Sequence, residues 1–250
     1  EDRIEAHFQP VVRLSDGAVT GAEALARIRA ASGELLQPAQ FIDIAEDSGL
    51  IAELGGRVLG LSLERLAAWE ATSGRRLTMA VNVSARQLAD PAFPEVVRNA
   101  LVANELEADQ VALEFTESAL IAANPVTERV LGDLTDLGVQ IGLDDFGTGF
   151  SSLAYLKRLP IDFLKIDRSF VAGLDSDDDD TAIVTGTVAL AHSLGLQVVA
   201  EGVETEAQLR RLQRLQCDLA QGFHFSEPVT DAEFDRFLER GWTPTPLSVN

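Results

Sequence analysis

Apolar residues follow two alternating patterns along this chain. Short apolar runs bounded by glycine, proline or polar residues predict buried strands, whereas apolar residues spaced by three and four predict helices. The second spacing is clearest over residues 51–69, where we predict a long helix. Because the two patterns alternate through most of the chain, they favour parallel strands joined by crossover helices.

These patterns predict eight strands and eight helices. The strands are predicted at residues 8–14, 19–28, 77–83, 111–116, 139–144, 161–166, 197–201 and 217–221. The helices are predicted at residues 38–46, 51–69, 91–104, 125–137, 151–159, 181–193 and 230–238, and in a segment that begins at residue 205. Thr205 and Gln208 have the spacing of a capping box, which marks the start of that segment.

The connection between the first two strands is short. Ser15, Asp16 and Gly17 predict a tight turn, and a connection of this length makes a hairpin of antiparallel strands. Strands alternating with helices in 250 residues predict a TIM-like (β/α)8 barrel with its first strand antiparallel. An open doubly wound sheet is the alternative. We predict one domain over residues 1–250, with an ordered barrel at roughly 5–240 and a short extended C-terminal tail.

The chain is strongly acidic. Its formal net charge is −20, which predicts repulsion of nucleic acid polymers and of anionic membrane surfaces. An anionic substrate would bind only where cations invert the local field, and metal ions are the obvious means. We therefore expect a small substrate, and no contact of this domain with a membrane or a nucleic acid polymer.

Residues 182–200 lack charged side chains, which raises the question of membrane insertion. Thr185, His192 and Gln197 make the stretch too polar for a span, so we predict a buried helix followed by a buried strand. The single cysteine, Cys217, excludes an internal disulfide and favours a cytoplasmic location. Because the sequence begins at Glu1 rather than at methionine, we expect a domain of a longer protein, which could itself be membrane-anchored.

Asp144 and Asp145 end an apolar run and precede Gly147 and Gly149. Neighbouring side chains of a strand point to opposite faces, so two adjacent carboxylates converge only where the backbone turns. The glycines can supply that turn and a mobile loop. The stretch therefore predicts a divalent-metal site with a lid. Taken alone, it predicts equally well an acidic turn that caps a helix near Ser151.

Polar side chains gather at the predicted carboxyl ends of the strands, where TIM barrels carry their catalytic groups. These residues are Glu23, Arg27, Asn82, Glu114, Asp144, Asp145, Lys165, Asp167, Glu201 and Gln221. So many carboxylates in one place repel each other unless they are protonated or bind metal. Oxygen ligands without cysteine or histidine favour Mg²⁺ or Mn²⁺. The alternative is a set of ordinary ion pairs that closes the barrel.

A carboxylate such as Asp144 can bridge two metal ions. Two ions about 3.5–4 Å apart can clamp an in-line displacement at phosphorus and lower the pKa of a bridging water. Lys165 could hold and orient that water or stabilise the charge on the phosphorus centre. This predicts a two-metal phosphoryl-transfer site.

The same residues lie in motifs that resemble the EAL-domain family, phosphodiesterases that hydrolyse the bacterial second messenger cyclic di-GMP. Glu23-Ala24-Leu25 is the family signature, and it continues to Arg27. The other motifs follow in family order and span nearly the whole chain: Phe8-Gln9-Pro10, Asn82-Val83-Ser84, Glu114-Phe115-Thr116-Glu117, residues 144–153, Lys165-Ile166-Asp167, residues 200–205 and Gln221-Gly222. The resemblance implies a TIM-like barrel with one antiparallel strand, in agreement with the hairpin argument.

The resemblance also implies a role for each residue. A metal site would consist of Glu23, Asn82, Glu114 and Asp144, and Asp144 would be shared with a second Mg²⁺ or Mn²⁺ ion near Asp145, with Glu201 around the metal-bound waters. Lys165 would be a general base or would orient water. Glu117 would anchor the loop at 144–153. The nucleotide contacts would be Gln9, Arg27, Asp167, Glu204, Gln221 and Pro228, and the product would be linear pGpG.

The family implies a homodimer formed through the loop that follows Asp145 and through adjacent helices. The chain departs from the family pattern at Ala26, Ile28, His224 and Glu227. Glu227 places negative charge beside Pro228 and bears on ligand affinity more than on chemistry. A cyclic di-GMP receptor with little or no turnover is the alternative, and a pure dimerisation scaffold is a third possibility. The complete set of expected metal ligands favours the enzyme.

Several other features carry no functional prediction. Residues 175–180 match a calcium loop poorly and predict a solvated acidic turn before a helix. Structural or packing roles are predicted for His7, His192, His224, Cys217, Trp69 and Trp242.

Overall fold

The computed structural model describes residues 3–121, 124–147 and 156–242. Nine strands lie in this part of the chain: β1 Ile4–Arg13, β2 Val19–Arg29, β3 Leu35–Leu36, β4 Thr78–Asn82, β5 Val111–Thr116, β6 Gln140–Phe146, β7 Phe163–Ile166, β8 Gln197–Ala200 and β9 Leu219–Ala220. The order β1-β9-β8-β7-β6-β5-β4-β2 closes on itself because β1 also pairs with β2. Eight strands therefore form a closed barrel, and β3 extends β2 as a short flap.

The helices lie between the strands. In the described ranges they are α1 Ile42–Ser48, α2 Ile51–Ser73, α3 Ala85–Leu88, α4 Phe93–Ala103, α5 Glu117–Ile121, α6 Pro125–Leu137, α7 Arg168–Ala172, α8 Asp178–Ser193, α9 Glu206–Arg214 and α10 Asp231–Arg240. Single 3₁₀ turns occur at Pro38–Gln40 and Ala108–Gln110.

The first strand runs against the rest of the barrel. β1 is antiparallel to both of its neighbours, β2 and β9. The other neighbouring strands of the barrel, from the pair β2–β4 to the pair β8–β9, are parallel. The hairpin register places Gln9 opposite Glu23. The prediction of a TIM-like barrel with one antiparallel strand is confirmed, and the open-sheet alternative is wrong because β1 and β9 pair and close the barrel.

The main hydrophobic core fills the layer between the barrel and its helices. Leu63 and Leu66 of α2, Val97 of α4 and Leu134 of α6 are among its fully buried members. A smaller cluster lies between α1, α2 and the end of β2, and it includes Ile51. The smaller cluster supports the segment of α1 and α2 that stands beside the carboxyl end of the barrel.

Most predicted elements are found, with shifted ends. The segment predicted as one helix over residues 38–46 is a 3₁₀ turn followed by α1. α8 begins three residues earlier than predicted because the carboxylate of Asp177 accepts hydrogen bonds from the backbone N–H groups of Asp179 and Asp180. Residues 151–155 of the helix predicted at 151–159, and the predicted tail beyond residue 242, lie outside the described residues.

Four short elements were not predicted from the sequence: β3, α3, α5 and α7. Elements this short carry too few residues for a hydrophobic period, and local side-chain bonds stabilise them instead. Ser84 and Gln87 form a capping box at α3, and Asp167 caps α7.

Three of the residues set aside as structural, Trp69, Cys217 and Trp242, have the packing roles predicted for them. Trp69 and Cys217 are buried in the main core. Trp242 packs edge-on against Phe225, with ring centroids 4.8 Å apart. The uncharged stretch 182–200 forms most of α8 and all of β8. Of the helices in the described ranges, none combines the length and the apolar character that a membrane span requires.

Candidate active site

Parallel pairing brings the predicted site residues to one end of the barrel. Asn82 of β4 pairs with Glu114 of β5, and Thr116 of β5 pairs with Asp144 of β6, so these three adjacent strands end near one level. Carboxyl ends of parallel strands lie at the same edge of a sheet, so their terminal side chains converge. The predicted clustering at this end of the barrel is therefore observed.

The ammonium group of Lys165 lies at the centre of this cluster. Its Nζ atom is 2.6 Å from Glu201 Oε1, 2.7 Å from Glu114 Oε2 and 3.2 Å from Glu23 Oε2. A fourth carboxylate oxygen, Oδ1 of Asp144, is 3.5 Å away. Lys165 is 1% exposed, so these contacts lie in a region of weak solvent screening. One cation therefore faces four carboxylates, an imbalance that ordinary ion pairing leaves uncompensated.

Two amide side chains fix the orientation of Glu23. Asn82 Nδ2 donates to Glu23 Oε1 at 2.6 Å, and Gln221 Nε2 donates to Glu23 Oε2 at 2.6 Å. Gln221 Nε2 also lies 3.3 Å from Glu201 Oε1 and so links two of the carboxylates. Both oxygens of Glu23 are thereby held in place by neighbouring protein side chains.

Burial and charge shift the pKa values of the cluster. Burial alone would lower the pKa of Lys165, but the four carboxylates raise it well above its ordinary value. Burial raises the pKa of Glu114 well above its usual range, and repulsion by Glu23 and Asp144 adds to this. Burial likewise raises the pKa of Glu201 to about 7. For Glu23, burial is outweighed by Lys165 and the two amides, which lower its pKa.

Asp144 and Asp145 converge through a distortion of β6 itself. The pairing of β6 with β7 shifts register between Leu143 and Phe146, and Asp145 has φ of +56°, in the left-handed region. Asp is one of the few non-glycine residues that adopt this conformation. The turn was predicted at Gly147 and Gly149, but it begins at Asp145, inside the strand. Gly147 also has a positive φ, +99°, whereas Gly149 lies outside the described residues.

The arrangement fits a hard divalent cation. Carboxylate oxygens of Asp144, Asp145 and Glu201 all lie within 4.8 Å of one another. Burial raises the pKa of Asp145, and repulsion by the neighbouring carboxylate of Asp144 adds to this, as expected for carboxylates that lie close together. The donors are all oxygens, and the excess negative charge would be offset by a bound Mg²⁺ or Mn²⁺.

A cavity of about 610 Å³ opens above this cluster. Glu23, Glu114, Asp144, Asp145 and Glu201 line its floor. Its wall on the side of α1 and α2 is largely apolar, formed by Leu25, Ala26, Pro38, Ile42, Ile51, Leu54 and Val58. The site therefore joins an acidic floor, which could receive an anionic group only through bound cations, to an apolar slot that suits a planar apolar group.

The predicted nucleotide contacts are placed less uniformly. Gln9 lines the cavity, and its Nε2 donates to the backbone oxygen of Ser226 at 3.1 Å. Gln221 also lines the cavity but is bonded to carboxylates rather than left free. Arg27 is 5% exposed, and its Nε has no partner among the described residues. Glu204 is exposed and Pro228 is half-buried.

Two further predicted residues have distinct local roles. Asp167 caps α7 by accepting from the backbone N–H of Ser169 at 3.0 Å. Glu117 begins α5 and is 4% exposed, and neither of its carboxylate oxygens has a hydrogen-bond partner within the described ranges. A buried carboxylate is costly without a partner. The loop at 148–155 that Glu117 was predicted to anchor lies outside those ranges.

Three cavity residues were missed by sequence reasoning: Glu46 on α1, Gln87 on α3 and Arg168 on α7. Arg168 directly follows Asp167, so its position after the β7 motif could have indicated it. Gln87 lies three residues after the Asn82-Val83-Ser84 motif, and Glu46 lies in α1, outside the quoted motifs. Their place in the cavity depends on how α1, α2 and α3 pack, and the sequence pattern does not show this.

Comparison with known proteins agrees with this geometry. The family model described as EAL domain matches residues 1–228. The chain belongs to the EAL domain family.

Individual relatives support the assignment. The EAL domain is 42% identical over 238 residues to the cyclic di-GMP phosphodiesterase NbdA of Pseudomonas aeruginosa, covering 95% of this chain and 30% of NbdA. It is 44% identical over 223 residues to the bifunctional diguanylate cyclase/cyclic di-GMP phosphodiesterase MucR of the same organism, covering 89% of this chain and 33% of MucR. The chain thus spans about a third of the length of these curated relatives.

The fold agrees as closely. The solved structure of the PaMucR phosphodiesterase in complex with c-di-GMP superposes with a TM-score of 0.89 at 42% identity, and covers 93% of this chain and 94% of that chain. The EAL signature Glu23-Ala24-Leu25 thus lies on β2 of a barrel shared with this relative, and Glu23 points into the acidic cluster.

Proposed function

We propose that this EAL domain is a metal-dependent phosphodiesterase that hydrolyses cyclic di-GMP to linear pGpG. The observation that carries the proposal is the cluster of four carboxylates around the buried Lys165, because these carboxylates line the floor of a cavity large enough for part of a dinucleotide. The named activity of NbdA and MucR and the c-di-GMP bound to PaMucR support the same substrate.

Two Mg²⁺ or Mn²⁺ ions are proposed as cofactors. One would be held by Glu23, Asn82, Glu114 and Asp144, and the other by Asp144, Asp145 and Glu201. The side-chain N–H of Asn82 donates a hydrogen bond to Glu23, so the side-chain carbonyl oxygen of Asn82 is left for a cation. Bound there, the ions would supply Lewis-acid activation of a water and would offset charge on the phosphate.

Lys165 is proposed to orient the attacking water and to stabilise negative charge at phosphorus. The surrounding carboxylates favour its protonated form, and an ammonium group donates hydrogen bonds but cannot accept a proton. This contact pattern supports the water-orienting role over the general-base role. In the overall reaction the water oxygen bonds to phosphorus, one P–O bond to a ribose oxygen breaks, and that oxygen takes a proton.

Substrate contacts are proposed for Gln9, Arg27, Asp167, Glu204, Gln221 and Pro228. Arg27 has a buried Nε without a described partner, and a guanidinium group suits a phosphate oxygen. Gln221 would in addition position Glu23 and Glu201, because its amide nitrogen donates hydrogen bonds to both carboxylates. Glu117 is proposed to anchor the loop after Asp145, and that loop and adjacent helices to form a homodimer. A cytoplasmic location remains a prediction.

The first experiment is incubation of the purified domain with cyclic di-GMP and Mg²⁺ or Mn²⁺, followed by chromatography of the nucleotides. We expect pGpG to accumulate and chelator to prevent it. Glu23→Gln should lower the rate at least about 100-fold because it removes a charged metal ligand. Glu53→Gln on the exposed face of α2 makes the same charge change away from the cavity and should leave the rate unchanged.

Two results would contradict the proposal. Wild-type turnover in Glu23→Gln would remove the cluster from the reaction. Tight binding of uncleaved cyclic di-GMP in the presence of either metal would instead identify a receptor that passes a signal to another domain.

A further inference from the structure

The apolar side of the cavity contains two polar groups that the catalytic cluster does not use. Glu46 on α1 and Gln87 on α3 both line the cavity together with Ile51, Leu54 and Val58 of α2. Apolar walls accept the face of a nucleobase, whereas the edge of the base needs hydrogen-bond partners. If the slot receives a base, its polar groups therefore determine which base fits.

The carboxylate of Glu46 is a hydrogen-bond acceptor without a partner among the described residues. Glu46 is half-buried, and its carboxylate forms no hydrogen bond or ion pair with any residue in the described ranges. An ionised carboxylate only accepts hydrogen bonds, and its two oxygens can accept two neighbouring donors at once.

The side-chain NH₂ group of Gln87 is a hydrogen-bond donor without an acceptor among the described residues. The side chain is 4% exposed, and its Oε1 accepts from the backbone N–H of Ser84 at 3.2 Å and from Ser84 Oγ at 3.1 Å. No residue that the structure describes accepts a hydrogen bond from Gln87 Nε2. The amide lies directly over Gly55 of α2, where a Cβ atom would come within 2.4 Å of Nε2. A nearly buried amide is thus fixed with its oxygen occupied and its N–H groups unpaired.

The donor and acceptor groups of Glu46 and Gln87 are of the kinds that the edge of guanine needs. Guanine carries two adjacent donors, N1–H and the 2-amino group, next to the acceptor O6. The acceptor-only Glu46 suits the two donors, and Gln87 Nε2 suits O6. Adenine presents an N1 lone pair where guanine presents N1–H, and that lone pair would face the carboxylate unfavourably.

We propose that Glu46 and Gln87 are specificity-determining residues that recognise the Watson–Crick edge of one guanine of the substrate in the slot between α1 and α2. This inference rests on the proposed function and adds to it the residues that select the base. It separates base recognition, carried by α1 and α3, from the phosphate chemistry at the strand ends.

The test uses cyclic di-GMP and cyclic di-IMP, whose hypoxanthine bases lack only the 2-amino group. For the wild-type domain, kcat/KM should fall about 10- to 100-fold from the first substrate to the second, the range for a hydrogen bond to a charged group. In Glu46→Gln this ratio should shrink to a few-fold, with KM for cyclic di-GMP raised and kcat little changed. Asp47→Asn, an equal charge change at the adjacent exposed position, should retain the wild-type ratio.

Gln87→Glu provides a second, independent variant. It keeps an oxygen for the bonds from Ser84 but removes the donor and adds a charge beside O6. We expect KM for cyclic di-GMP to rise at least about 10-fold while kcat is retained. Binding of cyclic di-AMP by the wild-type domain should be weaker than that of cyclic di-GMP.

The outcomes separate the two proposals. Hydrolysis of cyclic di-GMP with an unchanged guanine-to-hypoxanthine ratio in Glu46→Gln would overturn the base-recognition inference and leave the phosphodiesterase intact. Absence of both binding and hydrolysis of cyclic di-GMP by the wild-type domain would overturn the proposed function, and this inference with it.

Discussion

At the scale of single residues, the site is defined by an excess of buried negative charge. Glu23, Glu114, Asp144 and Glu201 surround one ammonium group, and burial together with repulsion between the carboxylates raises the pKa values of Glu114 and Glu201. Ionised carboxylates with a raised pKa lower the free energy of unfolding of the protein. A bound divalent cation would offset their repulsion, so the charges that would bind metal also destabilise the domain without metal.

This imbalance predicts a pH-dependent stability in chelator. Because burial raises the pKa of Glu201 from 4.5 to about 7, the folded state binds more protons than the unfolded state between these values. The free energy of unfolding should therefore be highest near pH 5 and fall as pH rises through 7, with a loss on the order of 3 kcal/mol. Thermal unfolding at pH 6 and pH 8 should show a higher Tm at pH 6.

Glu201→Gln is the matched variant for this prediction. It cannot ionise, so its Tm should depend less on pH over the same interval, and its Tm at pH 8 should exceed that of the wild type. An identical pH dependence in both proteins would show that Glu201 is not held in an unfavourable charged form. Mg²⁺ or Mn²⁺ should reduce the pH dependence of the wild type.

At the scale of elements, close backbone contacts hold the strand ends in place. Gly222 follows Gln221 and has φ of +152°, and a Cβ atom there would lie 2.2 Å from both the backbone N and O of Val203. Val203 and Gln221 are also joined by a backbone hydrogen bond of 3.0 Å. The segments after β8 and β9 therefore pack main chain against main chain, which fixes Gln221 relative to Glu201.

Gly222→Ala should disrupt this contact. The added methyl group meets backbone, which cannot rotate away, so we expect a loss of about 2 to 4 kcal/mol in the free energy of unfolding. Turnover should also fall because Gln221 shifts. Denaturant unfolding compared with Gly132→Ala tests this. Gly132 lies in helix α6, and a methyl group added there would meet no atom of the described residues within 4 Å, so that variant should gain about 0.5 to 1 kcal/mol.

A small loss for Gly222→Ala would mean that the two segments separate easily. The position of Gln221 would then have to depend on its side-chain bonds to Glu23 and Glu201 rather than on the main-chain contact.

At the scale of the whole molecule, both ends of the described chain meet in one aromatic cluster. Trp69 of α2 packs edge-on against Phe8 of β1 with centroids 4.7 Å apart, and lies 4.3 Å from the ring of Phe234 in α10. All three side chains are fully buried. This cluster ties the antiparallel first strand to the last helix, and so supports the closure of the barrel.

Trp69→Ala should destabilise the whole domain by about 3 to 5 kcal/mol, because it leaves a large cavity between three elements. Phe223→Ala, at a 59% exposed aromatic side chain, should change the free energy of unfolding by less than about 0.5 kcal/mol. Denaturant unfolding measures both. Equal effects of the two substitutions would refute the role of the cluster in barrel closure.

The sequence by itself determined the element order, the antiparallel hairpin and the set of residues at the strand ends. Each of these follows from local information: hydrophobic period, turn residues between Leu14 and Ala18, or motifs of a few adjacent residues. The start of α8, which Asp177 caps, and the short helices α3 and α7 were missed because capping side chains, rather than hydrophobic periodicity, determine them.

The tertiary structure decided what those residues contact. Glu23 and Lys165 are 142 residues apart, and their ion pair exists only because the barrel closes. The left-handed backbone of Asp145 depends on the register of β6 and β7. Glu46 and Gln87 reach the cavity through the packing of α1, α2 and α3, since through-space neighbours are set by packing rather than by spacing along the chain.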